Sequence, residues 1–509
     1  MNNYFNLIDE PWIPITDVGL VSLKDIFSNP SYHTLAASPV QKIAIMKLLL
    51  AIAQSAYTPV DDYEWSQLTS KGMAKYCLNY LEKWYNKFYL YGDAPFLQIP
   101  AINKAKIQSF GALLPNIATG NTTIILQSQQ KKFFSVAEKT MIIIEQMGFA
   151  LGGKKTDNSI VLSDTYTQKT NEKGKPKSGV CGPSLGSYGY LHTFLLGENL
   201  QISVWLNLLT HNTIKQNKIW EKGVGIAPWE KMPLNENDDI AQDLTKSLIG
   251  RLIPLNRFLF LNNNGDGVHY SEGILHMGYK NHSIDPSVAI NKAKLNDPKV
   301  LWVNSEKRPW RNIVALLQFI SNTNNSESFE CVYLNSGIER AIKIVDKIVI
   351  WSGGLSVSNN AGEQYASGQN DFVESAYVFN DIQSDDNCYF RKEWFDKLTI
   401  EVKWLDQLSK LLKTCIDKYY KELKVNNEIS KQTVNKFWGL AEQYFNSLLN
   451  LLKKNDNNIE LNKLKNKYAN IVCQLYNQTC SQDTPRQLEI WSKYIPNIQN
   501  YLTKEKNNE

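Results

Sequence analysis

Apolar residues between positions 40 and 56 fall on nearly all sides of a helix, and the uninterrupted run 43–53 holds a single charge, Lys47. Such a segment is read as a central, buried helix. Ser38-Pro39-Val40-Gln41 opens it: the serine can cap, the proline suits the first turn and the glutamine can reach back to the cap. Towards the other end, four segments place an apolar residue every three or four positions. They run through Phe395, Leu398, Val402, Leu405 and Leu412; Val434, Phe437, Ala441 and Leu448; Leu461, Leu464, Tyr468 and Leu475; and Leu488, Trp491, Ile495 and Leu502. Short polar joins such as Val425-Asn426-Asn427 favour antiparallel neighbours. A four-helix bundle over residues 385–509 is therefore expected, with Pro496 kinking its last helix.

Between these ends the periods are mixed. Residues 6–15, 122–126, 250–261, 300–303 and 347–351 read as strands, while 63–91, 136–149 and 309–320 read as helices. Residues 201–209 fit either. The polar connection from Ser352 to Gln364 reads as a hairpin end. The fold class is thus α+β, with a large mixed N-terminal domain over residues 1–384 followed by the bundle.

Glycine changes the picture in one place. Nine of the 27 glycines lie between Gly148 and Gly197, with Lys154, Lys155, Lys173, Lys175 and Lys177 among them. A backbone without side chains, flanked by lysines, suits close approach to a polyanion, and it equally suits a surface insertion. Net charge adds little, since 55 Lys+Arg against 50 Asp+Glu leaves only +5. Two further segments combine charge with rings or amides: Gln129, Gln130, Lys131, Lys132 and Phe133, followed by Phe134; and Tyr279-Lys280-Asn281-His282. Basic and aromatic side chains together suit single-stranded nucleic acid; a strand-to-helix connection explains the first segment as well.

Catalytic chemistry finds little support. The seven cysteines are scattered and never spaced as CxxC, so reduced thiols are expected. His269, His276 and His282 fit no common zinc spacing, and no metal or cofactor is expected. Phosphate-loop, dinucleotide, nucleophile-elbow and zinc-protease motifs are absent from the sequence. The pairs Asp61-Asp62, Asp238-Asp239 and Asp385-Asp386 lack histidine or acidic partners at metal-ligand spacing, which leaves a nuclease as the third reading. The N-terminus lacks a basic-then-apolar signal pattern, and no apolar run reaches spanning length. A soluble, cytoplasmic protein is expected.

The opening NLIDEPWIPI, the helix after SPVQ, the GP and TFLLG that close the glycine region, the strand leading to WSGG and the terminal bundle resemble, in order and length, the CasA family. That family is the large subunit of the type I-E CRISPR Cascade complex. The resemblance implies a non-catalytic subunit that partners guide RNA, the other Cascade subunits, target duplex DNA and a helicase-nuclease. It implies recognition of the protospacer-adjacent motif in the minor groove by a glycine loop, at Lys177, Ser178, Gly179, Val180 and Gly182, and by Lys280. Gly152-Gly153 competes for the loop. A strand-separating wedge would fall at Ser358, Asn359 and Asn360, with Gln364 the nearest glutamine, and residues 126–134 would lie near the guide RNA handle. The alternative is an interaction scaffold that contacts protein only.

Overall fold

In a computed structural model, residues 5–114, 134–153, 156–175, 177, 179–262, 267–282, 285–291, 293, 296–321, 328–360, 363–366, 371–383, 389–425, 428–453 and 458–502 are described. The chain forms two compact units, one of Met1–Ser305 with Ser326–Ala376, the other of Glu306–Asn325 with Tyr377–Glu509.

The first unit is built around the helix Pro39–Ala56. Ser38 caps it through a capping box in which Gln41 answers the cap backbone, as the sequence anticipates. Every residue from Ile43 to Gln54 is buried. The helices Asp62–Lys83, Val136–Phe149, Leu200–Asn207 and Leu248–Leu252 pack on it, as does the strand Ile348–Leu355. That strand is the middle of a three-stranded sheet, with Phe372–Phe379 on one side and His192–Leu196 antiparallel on the other, Gly353 opposite His192. A second sheet pairs Arg257–Leu261 with Val268–Glu272, Arg257 opposite Glu272, and adds Ile107–Gln108 at its edge. The hairpin after residue 352 is present as Ser358–Asn360 paired with Glu363–Tyr365.

One expected strand takes another form, and one stretch that the sequence leaves open resolves. Residues 250–261 are not one strand: Ser247 caps the short helix Leu248–Leu252, and only Arg257–Leu261 is extended. Pro254, which has no amide to donate, stands between them, and five helical residues are too few to display a period. Residues 201–209 resolve as the helix Leu200–Asn207, capped by Asn199.

The second unit is a helical bundle as expected, but among the described residues it has five helices, Lys392–Glu422, Ile429–Glu442, Phe445–Leu451, Asn458–Thr479 and Pro485–Lys493, because the second of the four expected helices is split between Glu442 and Phe445. Leu398, Leu405, Leu412, Tyr468 and Tyr476 fill its core. Its last helix stops at Lys493 instead of running kinked to residue 502, because Pro496 disfavours helix at the residue before it and has no amide for the ladder. The segment 309–320 is likewise broken, into Pro309–Asn312, Ile313–Leu316 and Gln318–Ser321.

Candidate nucleic-acid interface

The glycine-rich stretch is fastened along much of its length. Gly153 and Gly179 exchange backbone hydrogen bonds of 2.9 and 2.7 Å, and Gly182 and Ser184 donate to Ala150 and Gly148 at 2.8 and 3.0 Å. Residues 179–184 therefore run beside 148–153 as an irregular antiparallel pair. A Cβ on Gly179 would stand 2.6 Å from the Glu272 carboxylate and 2.9 Å from the Gly153 carbonyl. On Gly182 it would collide with the Gly148 carbonyl. Both glycines serve close packing of main chain.

Two buried ion pairs hold this pair of segments. Arg257 and Glu272, 0% and 4% exposed, lie 3.3 Å apart across the second sheet. Arg257 Nη2 donates to the carbonyls of Val180 at 2.5 Å and Leu151 at 3.4 Å, one on each segment. Lys47, from the central helix, reaches Asp285 at 2.8 Å, each only 2% exposed, and donates as well to the Ser184 hydroxyl. Burial pushes the Lys47 ammonium below its ordinary pKa, against the opposing pull of Asp285. His192 lies in the same region. Its Nε2 is 2.7 Å from the Ser184 carbonyl, which can only accept, so Nε2 bears the proton and Nδ1 accepts from Ser287 at 2.8 Å. Burial drives this imidazole down to about 4 and that of His276 to about 3.

The hairpin joins the same frame through Gln364. Its Oε1 accepts from Gly152 N–H at 2.9 Å, and its Nε2 donates to the carbonyls of Gly186 and Ser187 at 2.7 and 3.0 Å. Gln364 is 4% exposed, so it is a clamp beneath the hairpin and not its tip. Ser358 and Asn359 are exposed, and Asn359 faces Gln364 in register. Lys177 is half-buried, its carbonyl accepting from the Asn158 side chain, and the Val180 carbonyl is taken by Arg257. Lys280 is exposed on a 3-10 turn, Tyr279–Asn281. Ser178, residues 129–133 and the side chain of Asn360 lie outside what is described.

Rings gather next to that turn. Tyr190 stacks on Trp302 at 4.7 Å between centroids, and Tyr188 and Tyr279 each meet Trp302 edge-on at 5.5 Å. This cluster was not anticipated: its members come from Tyr188 and Tyr190, Tyr279 and Trp302, three separate places in the chain, and no local period announces such a meeting. Lys47 and Arg257 have a sequence signal in hindsight, since each is a lone charge within an apolar run.

The paired aspartates do other work. Asp61 accepts from Glu64 N–H at 2.9 Å, and Asp238 from Ala241 N–H at 2.8 Å, both as helix caps. Asp62 lies 3.8 Å from Arg340, and Asp385-Asp386 are outside the described residues. Among the described residues no group of three His, Cys, Asp or Glu could hold a metal, and no helix is long and apolar enough to cross a membrane.

Residues 6–478 match the family model of CRISPR-associated protein Cse1. A curated relative from Thermus thermophilus, "CRISPR-associated protein CasA/Cse1", is 26% identical over 336 residues, which is 62% of this chain and 60% of that protein. The fold is similar to the solved structures of Thermus thermophilus CasA (TM-score 0.70, 17% identity, 96% of this chain and 98% of that one) and Thermobifida fusca Cse1 (TM-score 0.71, 18% identity, 96% of each).

Proposed function

The chain belongs to the CRISPR-associated Cse1 family, and from that premise we propose that it is the non-catalytic large subunit of a type I-E, RNA-guided surveillance complex in the cytoplasm. In this reading it recognises the protospacer-adjacent motif in duplex DNA, begins strand separation for guide RNA pairing and helps recruit the helicase-nuclease. The supporting observation is that the glycine-rich segment, the hairpin and the residues following the Lys280 turn are tied to one buried frame. Gln364 links the first two; Lys47, through Ser184 and Asp285, links the first and third.

A reader of the narrow minor groove needs a firm main chain with few side chains in the way, and one or two cations that reach in. Gly179 and Gly182 keep that main chain in place, while Lys177 and Lys280 carry the charge. The minor groove offers a degenerate pattern, so recognition of the motif is relaxed, and guide pairing supplies the remaining specificity. Ser358, Asn359 and Asn360 form the edge that enters between the strands, with Gln364 bracing it from below, and residues 129–133 lie near the guide RNA handle.

The test is binding of the reconstituted complex, with guide RNA and the other subunits, to duplex with and without the motif over a range of salt. Lys280→Ala is expected to weaken motif-dependent binding about tenfold, with a salt slope shallower by about one, and to leave assembly intact. Motif binding equal to the unmodified complex would remove Lys280 from the site. Assembly without any motif-dependent binding would favour the protein-only scaffold.

A further inference from the structure

We propose that the Tyr188 ring, braced edge-on by Trp302, is a stacking platform for one unpaired nucleobase at the root of the hairpin, with Lys280 on the neighbouring Tyr279 turn for the adjoining phosphate. The proposal rests on the reading that this unit opens duplex DNA. It adds a place for a base to go once it has lost its partner.

Tyr188 is 53% exposed although its main chain is held on both sides. Val357 N–H donates to the Tyr188 carbonyl at 3.2 Å, and Val303 N–H donates to the Gly189 carbonyl at 2.7 Å. Gly189, with φ of +90°, lies so close to the Leu355 carbonyl that no side chain would fit there. The ring is thus in solvent on a fixed backbone. Behind it, Trp302 lies nearly parallel to Tyr190, at an interplanar angle of 11°, and perpendicular to both Tyr188 and Tyr279, at 89° and 87°. These contacts fix the orientation of the indole, which is only half-buried. The hairpin begins at Ser358, one residue beyond Val357. A base displaced at that hairpin therefore meets rings whose positions are already set, and little ordering entropy is lost on stacking.

The chemistry favours a nucleobase. Every base has a π face, and stacking on an aromatic side chain shows little sequence preference. That tolerance suits a step that must work on any target. Lys280 follows Tyr279 directly and is exposed, so a phosphate linked to the stacked base has a cation within reach.

The experiment uses the assembled complex with guide RNA and motif duplex carrying 2-aminopurine at the first position beyond the motif, on each strand in turn. Stacking on the platform quenches the probe on one strand. Tyr188→Leu is expected to abolish most of that quenching and to slow opening about tenfold, a loss exceeding any change in affinity for the same duplex held closed by an interstrand crosslink. Tyr188→Phe, which keeps the ring, is expected to behave as the unmodified complex. Tyr188→Gln replaces the leucine variant if that one does not assemble. Quenching and opening by either ring-less variant at the unmodified rate overturn the platform, and so does a phenylalanine variant as impaired as leucine. In those outcomes the unmodified complex still binds and opens the motif duplex. Failure of the unmodified complex to do either removes the duplex-opening reading, and the platform with it.

Discussion

His192 holds one proton between two fixed partners, and this makes the fold beneath the glycine-rich segment sensitive to acid. In the folded chain its pKa is about 4, whereas an unfolded histidine titrates near 6.5. The unfolded chain therefore binds a proton between these values that the folded chain refuses. The stability contributed by His192 is complete above pH 6.5 and is lost as pH falls towards 4, amounting to about 3 kcal/mol. His276, at about 3, acts with the same sign. Glu145 acts with the opposite sign: burial raises its carboxyl to about 7, so its contribution is present below its ordinary value and lost as pH rises through 7. Between pH 6.5 and 4.5 these two histidines oppose Glu145 and Glu236, whose carboxyl burial also raises, and the large histidine shifts should make net stability fall on acidification. In His192→Gln, whose amide can still donate to the Ser184 carbonyl, the melting temperature should fall less steeply over that interval. Equal slopes would show that another group governs the acid response. Legibility at this scale was partial. Lys47 is conspicuous as the lone charge in an apolar run, but its partner Asp285 is 238 positions away, and only tertiary closure brings them together. Likewise, Gly179 and Gly182 read in the sequence as bare backbone for approach to a polyanion, whereas the packing that requires them, against the Glu272 carboxylate and the Gly148 carbonyl, is not visible there.

Elements were more legible where their signal is local. The capping box at Ser38 lies within four consecutive residues, and it forms. The hairpin 358–365 follows from a strand running into amides and small residues. What fastens it was not legible, because Gln364 reads as a turn residue and its partners come from Gly152, Gly186 and Ser187. Gln364→Ala would leave one buried amide and two carbonyls unpaired, at a cost of about 1–3 kcal/mol for each group that water does not reach. Hydrogen exchange should then quicken together in the hairpin and at Gly152-Gly153, while the central helix Pro39–Ala56 stays protected. Faster exchange confined to the hairpin would mean that Gln364 does not join the two.

At the scale of the whole molecule, the amphipathic repeats after residue 385 announce a helical region, but contacts divide the chain differently from a single cut. Glu306–Asn325 leaves the first unit's stretch of sequence and becomes part of the second. Its three short helical pieces carry no period long enough to reveal which core they cover. The reason for the excursion is Trp310. It is fully buried, 4.4 Å between ring centroids from Phe445 and 5.5 Å from Trp438. Arg311 lies 3.8 Å over the Trp438 ring, and Arg308 pairs with Glu442 at 2.7 Å. These contacts fall where Ile429–Glu442 gives way to Phe445–Leu451, so the excursion covers the junction between two bundle helices. Trp310→Ala removes the largest apolar side chain of that cover, and a buried tryptophan truncated to alanine costs about 3–5 kcal/mol. Because Trp310 falls in the second unit and its ring contacts are Trp438 and Phe445, the loss should stay local: amides of Ile429–Glu442 and Phe445–Leu451 should exchange faster, and those of Arg257–Leu261 should not change. Uniform acceleration across both units would instead mean that they unfold together and that the excursion stabilises the chain as one cooperative body.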